Sequence, residues 1–320
     1  MKTIYIVVPC YNEEEVLGET TRRLLDKMER MQKAGLISDE SRILYVDDGS
    51  RDRTWEIIST LHAKDPRVSG VKLSRNRGHQ NALLAGLMTA RGECDAAISM
   101  DADLQDDIEV LDDFVRDFDD GCDIVYGVRS SRGNDTAFKK GSAQGFYKLM
   151  NRFGVETVYN HADYRLMSDR ALDALSEYGE VNLFLRGIVP QIGYKTAVVE
   201  YERKDRFAGE SKYPLRKMIG FALDGITSFS TKPVEIVTGI GAVIAFLSLV
   251  GMIWGLIAAL AGHGFSLDVW GLLSVWLACG ILLTGVGIVG LYVGRTYMET
   301  KHRPRYTIET VLNDKSGPDR

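Results

Sequence analysis

The stretch of sequence that decides the fold is Ile98-Ser99-Met100-Asp101-Ala102-Asp103-Leu104-Gln105-Asp106-Asp107, an apolar strand-like segment that ends abruptly in clustered carboxylates. In open α/β sheets, ligands bind at the carboxyl ends of the strands, where these acids fall. Carboxylates about 5 Å apart repel by roughly 3 kcal/mol at an effective dielectric near 20, so Asp101 and Asp103 predict a cation. Their oxygen ligands suit Mg2+ or Mn2+ better than zinc. The alternative is a solvated acidic loop that caps a helix beginning near Ile108.

Strand-like segments alternate with helical patterns before the C-terminal third of the chain. The predicted strands are residues 4–8, 43–47, 68–73, 96–100, 123–127 and 194–201, and the predicted helices are residues 14–34, 54–63, 79–90 and 108–119. The strands are continuous apolar runs, as expected for strands buried on both faces. Gly35 and Gly92 stand where helices should end. This alternation predicts an α/β domain with a mostly parallel sheet covered by helices.

Two long stretches, residues 236–260 and 269–293, contain no Asp, Glu, Lys, Arg or His. As a helix each would reach roughly 37 Å, enough to cross a hydrocarbon core of about 30 Å with tilt. We therefore expect two transmembrane helices, and the alternative is a buried helical hairpin in a large soluble core. The basic residues that flank the two stretches are Lys232, Arg295, Lys301, Arg303 and Arg305. By the positive-inside rule, both termini are predicted to be cytoplasmic.

Composition excludes several other classes of protein. Residues 4–8 are too short for a signal peptide, and the four cysteines show neither metal-ligand spacing nor a context that favours disulfides. A net charge of -5 argues against a nucleic-acid partner.

Polar side chains also follow the first two predicted strands. The first strand ends in Pro9-Cys10-Tyr11-Asn12-Glu13-Glu14 and the second in Val46-Asp47-Asp48-Gly49-Ser50. One such ending is explained by helix capping before Thr54, but three endings at one edge of a sheet favour a nucleotide site. The segment Arg75-Asn76-Arg77-Gly78-His79-Gln80-Asn81-Ala82 adds a glycine that permits tight helix initiation and arginines suited to phosphate.

Together these motifs resemble the family 2 glycosyltransferases with the GT-A fold. Two further stretches, Asp163-Tyr164-Arg165-Leu166-Met167 and Arg206-x-x-Gly209-x-Ser211-Lys212-Tyr213, are similar to the polyprenyl-phosphate glycosyltransferases. These are relatives of dolichyl-phosphate mannose synthase and include the bactoprenol glucosyltransferases. The resemblance spans nearly the whole chain. Asp106-Asp107 is a departure, because the mannose synthases more often carry His-Pro or Pro-Pro there.

The resemblance implies inverting transfer of a hexose from a nucleotide-diphosphate sugar to undecaprenyl or another polyprenyl phosphate, and glucose is the expected hexose. A UDP-sugar is the favoured donor, and the product belongs to the synthesis of cell envelope glycans. The alternatives are a processive membrane polysaccharide synthase, for which no Gln-x-x-Arg-Trp motif is present, and a catalytically inactive, membrane-anchored nucleotide-sugar-binding protein.

Together with the uncharged stretches, the resemblance predicts that the chain consists of four parts. Residues 1–213 form a cytoplasmic GT-A catalytic domain, residues 214–232 an amphipathic juxtamembrane helix, residues 233–294 a two-helix transmembrane hairpin, and residues 295–320 a cytoplasmic tail. The apolar stripe in residues 214–232 fits the membrane interface and packing on the catalytic domain equally well. Residues 301–320 are basic and then polar, typical of an exposed or disordered end. We expect a multi-pass protein of the inner (plasma) membrane. The pairs Gly251-x-x-x-Gly255 and Gly290-x-x-x-Gly294 would allow close helix packing within a chain or between chains, and simple tolerance of glycine in lipid explains them equally well. We expect a homo-oligomer.

Site residues are expected on the same basis. Asp103, Gln105 and Asp101 would hold Mg2+ or Mn2+, while Asp106 and Asp107 would only start the next helix. The residues expected to bind the nucleotide sugar are Pro9, Tyr11, Asn12, Glu13, Asp47, Asp48, Arg75, Asp101, Ala102 and Gln105. The residues expected to serve catalysis are Asp103, Asp163, Arg129, Arg206 and Lys212. Because a phosphate monoester is largely dianionic at neutral pH, Asp163 is expected to orient a substrate rather than act as an obligatory base. The alternative is a salt bridge to Arg165 or to a neighbouring basic group.

Overall fold

The computed structural model describes residues 1–129, 161–180, 184–202 and 303–313, together with part of residues 271–301. Among these residues, eight strands form one sheet in the order β7-β5-β6-β4-β1-β2-β3-β8. The strands are β1 (Ile4–Cys10), β2 (Arg42–Asp47), β3 (Val68–Leu73), β4 (Ala96–Ser99), β5 (Ile124–Arg129), β6 (His161–Ser168), β7 (Thr196–Tyr201) and β8 (Ile308–Leu312).

Helices cover both faces of the sheet, as predicted. They are α1 (Leu17–Lys33), α2 (Thr54–Lys64), α3 (His79–Ala90), α4 (Leu111–Asp119), α5 (Asp169–Ser176) and α6 (Leu185–Gln191), with a 3-10 turn at Ile108–Val110. Successive side chains of a strand point to opposite faces, so β1 sends Ile6 into a core with α1, α2 and α4 and Val7 into a core with α3, α5 and α6. Burial on both faces explains why the central strands are apolar throughout.

Strand directions decide which residues share an edge of the sheet. Strands β1 to β5 and β7 run in one direction, whereas β6 and β8 run in the opposite direction. The sheet is therefore mixed, although most of its strands are parallel. The carboxyl ends of six strands meet at one edge, called here the carboxyl edge. Because β6 is reversed, it brings its amino end, with Asp163, to that edge.

Strand β8 corrects one expectation about the C-terminal tail. Ile308–Leu312 pairs antiparallel with β3, so this segment is an ordered edge strand; its side chains are mostly exposed, as expected, but the alternative of a disordered end is wrong for it. Side chains reinforce the pairing, since Lys72 Nζ lies 3.0 Å from Glu309 Oε1. The sheet thus includes residues far beyond position 213 in sequence.

Most of the predicted membrane region lies outside the described residues. This holds for the amphipathic segment at 214–232, for residues 236–260 and for much of residues 269–293. Where the structure does describe the chain, it contains no helix that is both long enough and apolar enough to cross a membrane. The large apolar side chains described in the second stretch are exposed, namely Val275, Leu282, Val286, Val289 and Val293.

Candidate active site

The acidic loop that follows β4 is fixed by a hydrogen bond within the loop and by a hydrogen bond from α1. Leu104 adopts a φ of 57°, and the backbone N–H of Gln105 donates to Asp103 Oδ1 at 3.2 Å. The hydroxyl of Thr20, on α1, donates to the backbone carbonyl of the buried Ala102 at 2.8 Å. The hydrogen bond from Thr20 therefore anchors the loop to α1 at Ala102. Asp101, Asp103 and Gln105 lie within three residues of this anchor in the sequence.

The donor set of this loop fits a hard divalent cation. Asp101 and Asp103 supply carboxylates and Gln105 an amide oxygen, the ligand types that Mg2+ and Mn2+ prefer. Burial raises the pKa of Asp101 to about 6; His79 opposes this shift, and Asp106 and other nearby carboxylates reinforce it. A bound cation would relieve this crowding of acids. Within the described ranges, no group of three or more His, Cys, Asp or Glu side chains is arranged to hold a metal ion.

Asn12 and Glu13 join the loop after β1 to the loop after β2. The N–H of Asn12 donates to Ser50 Oγ at 3.0 Å, and Asn12 Oδ1 accepts from the N–H of Arg51 at 2.9 Å. The N–H of Glu13 donates to Thr54 Oγ1 at 2.9 Å. Both residues were expected to bind the nucleotide sugar, and the described contacts give them the further task of shaping the site.

The two acids after β2 have different surroundings. Asp48 Oδ1 accepts from the N–H of Arg77 at 2.7 Å and its Oδ2 from the N–H of Gly78 at 2.9 Å, so this carboxylate fixes the start of α3. Asp47 Oδ1 accepts from the N–H of Ser50 at 3.2 Å, whereas its buried Oδ2 has no hydrogen-bond partner among the described residues. Burial also raises the pKa of Asp47. A buried acceptor of this kind suits an N–H or O–H group of a ligand, which makes Asp47 the stronger nucleotide-binding candidate.

Gly49 allows the loops after β2 and β3 to touch. It has a φ of 64°, and a Cβ at this position would lie 2.6 Å from the backbone nitrogen of Asn76 and 2.7 Å from the carbonyl carbon of Arg75. Real Cβ atoms do not approach backbone this closely, so only glycine fits without a shift of one loop. The exposed Arg75 is thus set beside the acids that follow β2.

Asp163 lies within a cluster of cations. Its carboxylate is 2.6 Å from Arg165 Nη2, 3.0 Å from Arg186 Nη2 and 3.6 Å from His79 Nε2, and 12% of the side chain is exposed. Although burial raises the pKa of Asp163, the charge of Arg186, the hydrogen bond from His79 and the charge of Arg165 together hold it well below its usual range. The alternative of a salt bridge to Arg165 is therefore confirmed, and the carboxylate is a poor proton acceptor at neutral pH.

His79 connects this cluster to the acidic loop, because its Nε2 is also 3.7 Å from Asp101 Oδ1. Burial favours the neutral imidazole, but the hydrogen bond to Asp163 and the charges of Asp101 and Asp163 outweigh it and raise the pKa to about 9. Neither His79 nor Arg186 was singled out from the sequence. His79 follows a glycine at the start of a helix, which is a weak signal, whereas Arg186 has no local signal because only the tertiary fold brings α6 here.

Asp106 and Asp107 play separate roles. Asp107 does start the next turn, because its side chain accepts a hydrogen bond from the N–H of Glu109. The expectation that Asp106 would only start the next helix was wrong. The buried Oδ1 of Asp106 accepts from the Tyr201 hydroxyl at 2.5 Å and lies 3.4 Å from Arg129 Nη2. Arg129 is thereby placed at the carboxyl end of β5, facing the acidic loop.

Most of the expected site residues share the carboxyl edge. Arg206 and Lys212 lie outside the described residues. Those that the topology brings to this edge are Pro9, Tyr11, Asn12, Glu13, Asp47, Asp48, Arg75, Asp101, Ala102, Asp103, Gln105, Arg129 and Asp163. An edge of this kind combines acids that suit a metal-bound diphosphate with cations that suit a second phosphate.

This mixed α/β sheet, with its acidic loop after β4, is the GT-A fold, and the chain belongs to glycosyl transferase family 2, whose family model matches residues 5–176. The chain is therefore a glycosyltransferase by family, as the resemblance of its motifs implied.

Individual relatives match over nearly the full length. The uncharacterized glycosyltransferase YkoT of Bacillus subtilis (strain 168) is 51% identical over 314 residues, covering 98% of this chain and 93% of its own. The prophage bactoprenol glucosyl transferase homolog of Escherichia coli (strain K12) is 40% identical, covering 96% of this chain and 99% of its own. The bactoprenol glucosyl transferase of Shigella phage SfV is 39% identical, covering 96% and 98% respectively.

Proposed function

We propose that this glycosyltransferase transfers glucose, with inversion, from UDP-glucose to undecaprenyl phosphate at the cytoplasmic face of the plasma membrane. The observation that carries the proposal is the carboxyl edge itself, where an acidic loop suited to a metal faces the cations Arg129, His79 and Arg186. Relatives named bactoprenol glucosyl transferases match along nearly the whole chain, which supports both the sugar and the lipid acceptor.

On the donor side, Asp101, Asp103 and Gln105 would hold Mg2+ or Mn2+. When bound, the ion would neutralise the diphosphate and stabilise the charge that develops on the leaving nucleotide. The buried Oδ2 of Asp47 is suited to accept a hydrogen bond from the base or the ribose. Asp48 and Gly49 keep the loop that carries Arg75 against this part of the site.

On the acceptor side, the chemistry needs orientation more than proton removal. A phosphate monoester is already largely dianionic near pH 7, so its oxygen can attack the anomeric carbon while the bond to the UDP oxygen breaks. Arg129, His79 and Arg186 provide positive charge for that phosphate. Asp163 is kept ionised by its cationic neighbours, which suits it to hold His79 and Arg186 in place rather than to accept a proton.

We further propose a membrane location for the acceptor reaction, with two transmembrane helices, both termini in the cytoplasm, and a homo-oligomeric assembly. The uncharged stretches at 236–260 and 269–293, and the basic residues that flank them, support this placement. A tether at the membrane would raise the effective concentration of an acceptor whose phosphate lies at the interface.

A donor screen with the full-length protein in lipid nanodiscs tests the proposal. UDP-glucose, other UDP-hexoses and GDP-mannose would each be offered with undecaprenyl phosphate, and products would be identified by mass spectrometry. We expect glucosyl-phosphate-undecaprenol from UDP-glucose. Asp103→Ala, or a chelator, should abolish transfer, whereas Asp107→Asn on the same loop keeps a capping side chain and should retain it.

Each contrary result has a defined meaning. Full activity of Asp103→Ala would refute the assignment of Asp103 as a metal ligand. A polymeric product would support a processive synthase, and calorimetric binding of nucleotide sugars without turnover would support an inactive binding protein.

A further inference from the structure

Asp106 has no part in the chemistry proposed above, yet its side chain is only 1% exposed. A carboxylate buried to this degree is costly unless it is paired. Its Oδ1 accepts a hydrogen bond from the Tyr201 hydroxyl at 2.5 Å and lies 3.4 Å from Arg129 Nη2. The pairing requirement is therefore met by two residues from other strands.

The three side chains contact one another, because Arg129 Nε also donates to the Tyr201 hydroxyl at 3.2 Å. Arg129 ends β5 and Tyr201 ends β7, and the two positions are direct partners in the parallel β5–β7 pair. Asp106 comes from the loop after β4. Three separate strand ends are thus joined at one buried carboxylate.

A second contact fixes the same region through the aromatic ring of Tyr201. The ring of Tyr164, on β6, packs edge-on against the ring of Tyr201 at a centroid distance of 5.3 Å. The Tyr164 hydroxyl donates to the backbone carbonyl of Asp107 at 2.9 Å. The position of Tyr201 relative to the acidic loop is consequently set by ring packing as well as by hydrogen bonds.

We propose that Asp106 is a positioning residue that, through Tyr201, orients the Arg129 guanidinium so that it meets the acceptor phosphate. The inference rests on the proposed function. The acidic loop takes the donor diphosphate, whereas Arg129 ends a strand two places away in the sheet. Its neighbour β7 is at one end of the order of described strands and leads in sequence toward the predicted membrane segment. This side of the site is therefore where a lipid phosphate would arrive.

Steady-state kinetics of full-length Tyr201→Phe and Asp106→Asn test the inference, since both changes keep the shape of the side chain. Loss of a hydrogen bond to a charged group predicts a rise of roughly tenfold in KM for undecaprenyl phosphate, with KM for UDP-glucose within about twofold of wild type. The double variant should be no worse than the poorer single variant, because both changes act through one contact.

Tyr45→Phe is the matched control. Tyr45 is also a buried tyrosine whose hydroxyl bonds one side chain, Thr21 Oγ1 at 2.8 Å, but it lies on β2 away from Asp106. Removal of the Tyr45 hydroxyl should leave the KM for undecaprenyl phosphate and the KM for UDP-glucose unchanged. An equal rise in both KM values for Tyr201→Phe, or additive effects in the double variant, would overturn the inference.

Failure of the proposed function would be recognised separately. If wild-type protein transfers no sugar to undecaprenyl phosphate, the proposed acceptor is wrong, and substrate-free hydrogen exchange then tests the coupling. Amides at 124–129 and 196–201 should exchange at least about fivefold faster in Asp106→Ala than in wild type, because the buried link between the strand ends is lost. Unchanged exchange at both strand ends would refute positioning by Asp106.

Discussion

Replacement of Gly49 by Ala would test how closely the loops after β2 and β3 must approach. The added Cβ would lie 2.6 Å from the backbone nitrogen of Asn76, and the residue keeps a φ of 64°. Left-handed backbone costs an L-residue roughly 1–2 kcal/mol, and overpacking adds about 1–3 kcal/mol. We expect Gly49→Ala to lower the free energy of unfolding by about 2–5 kcal/mol and to weaken donor binding, because one loop must move.

Gly35→Ala separates the two costs. Gly35 has a φ of 72° and its Cβ would meet no atom within 4 Å, so this variant carries only the backbone cost, about 1–2 kcal/mol. At about 2–4 °C per kcal/mol for a domain of this size, Gly49→Ala should melt about 2–12 °C below Gly35→Ala. Thermal unfolding followed by circular dichroism measures this gap, and calorimetry with UDP-glucose measures donor affinity. Equal melting temperatures and donor affinities for the two variants would refute the close-approach reasoning.

Three further variants probe other parts of the molecule. Asp47→Ala should raise KM for the nucleotide sugar by roughly tenfold and leave KM for the lipid unchanged, because a buried acceptor for the nucleotide is lost. Gly86→Ala would place a Cβ 2.4 Å from Val7 Cγ1, so thermal unfolding should show a loss of about 1–3 kcal/mol. The hydrogen bond from Arg30 lowers the pKa of Glu109 to about 2, so the stability it provides is complete above pH 4.5 and is lost as pH falls toward 2. The difference in melting temperature between wild type and Glu109→Gln should accordingly narrow across that interval.

Contrary results are equally specific. A lipid KM that rises with the donor KM in Asp47→Ala would place this acid elsewhere in the mechanism. An unchanged melting temperature for Gly86→Ala would mean that α3 moves away from the sheet at no cost. A difference in melting temperature for Glu109→Gln that stays constant down to pH 2 would mean that the ion pairs of Glu109 with Arg30 and Lys27 are not its cause.

Local sequence patterns predicted many of the strands and helices, because a strand that is buried on both faces is a continuous run of apolar residues. Residues 68–73 and 79–90 match β3 and α3 at both ends. Strand direction was not predictable in this way, since an apolar pattern looks the same in either direction. Strand β6 was not among the predicted strands, and its reversed direction follows from its pairing with β4 and β5. Strand β8 was missed because its partner β3 lies more than 200 residues away in sequence.

The acidic and nucleotide-binding candidates were predictable for a similar reason. Residues that follow parallel strands meet at one edge, so Asp47, Asp101 and Asp103 could be grouped from sequence. Of the neighbours of Asp163, Arg165 was predictable from the sequence, but Arg186 was not, because it reaches Asp163 only through the packing of α6. The burial of Asp106 was equally hidden, since Tyr201 is 95 residues away.

The positions of β7 and β8 have a mechanical consequence. Among the strands that the structure describes they are the two outermost, and seven spacings of about 4.8 Å place them roughly 34 Å apart. The chain departs at Tyr201 and returns at Ile308, which pairs with Leu73, so both points lie at the carboxyl edge. If the intervening residues enter the bilayer as proposed, they cross it an even number of times. A two-point tether at opposite ends of that edge would also restrict rotation of the domain and keep the mouth of the site turned toward the lipid headgroups.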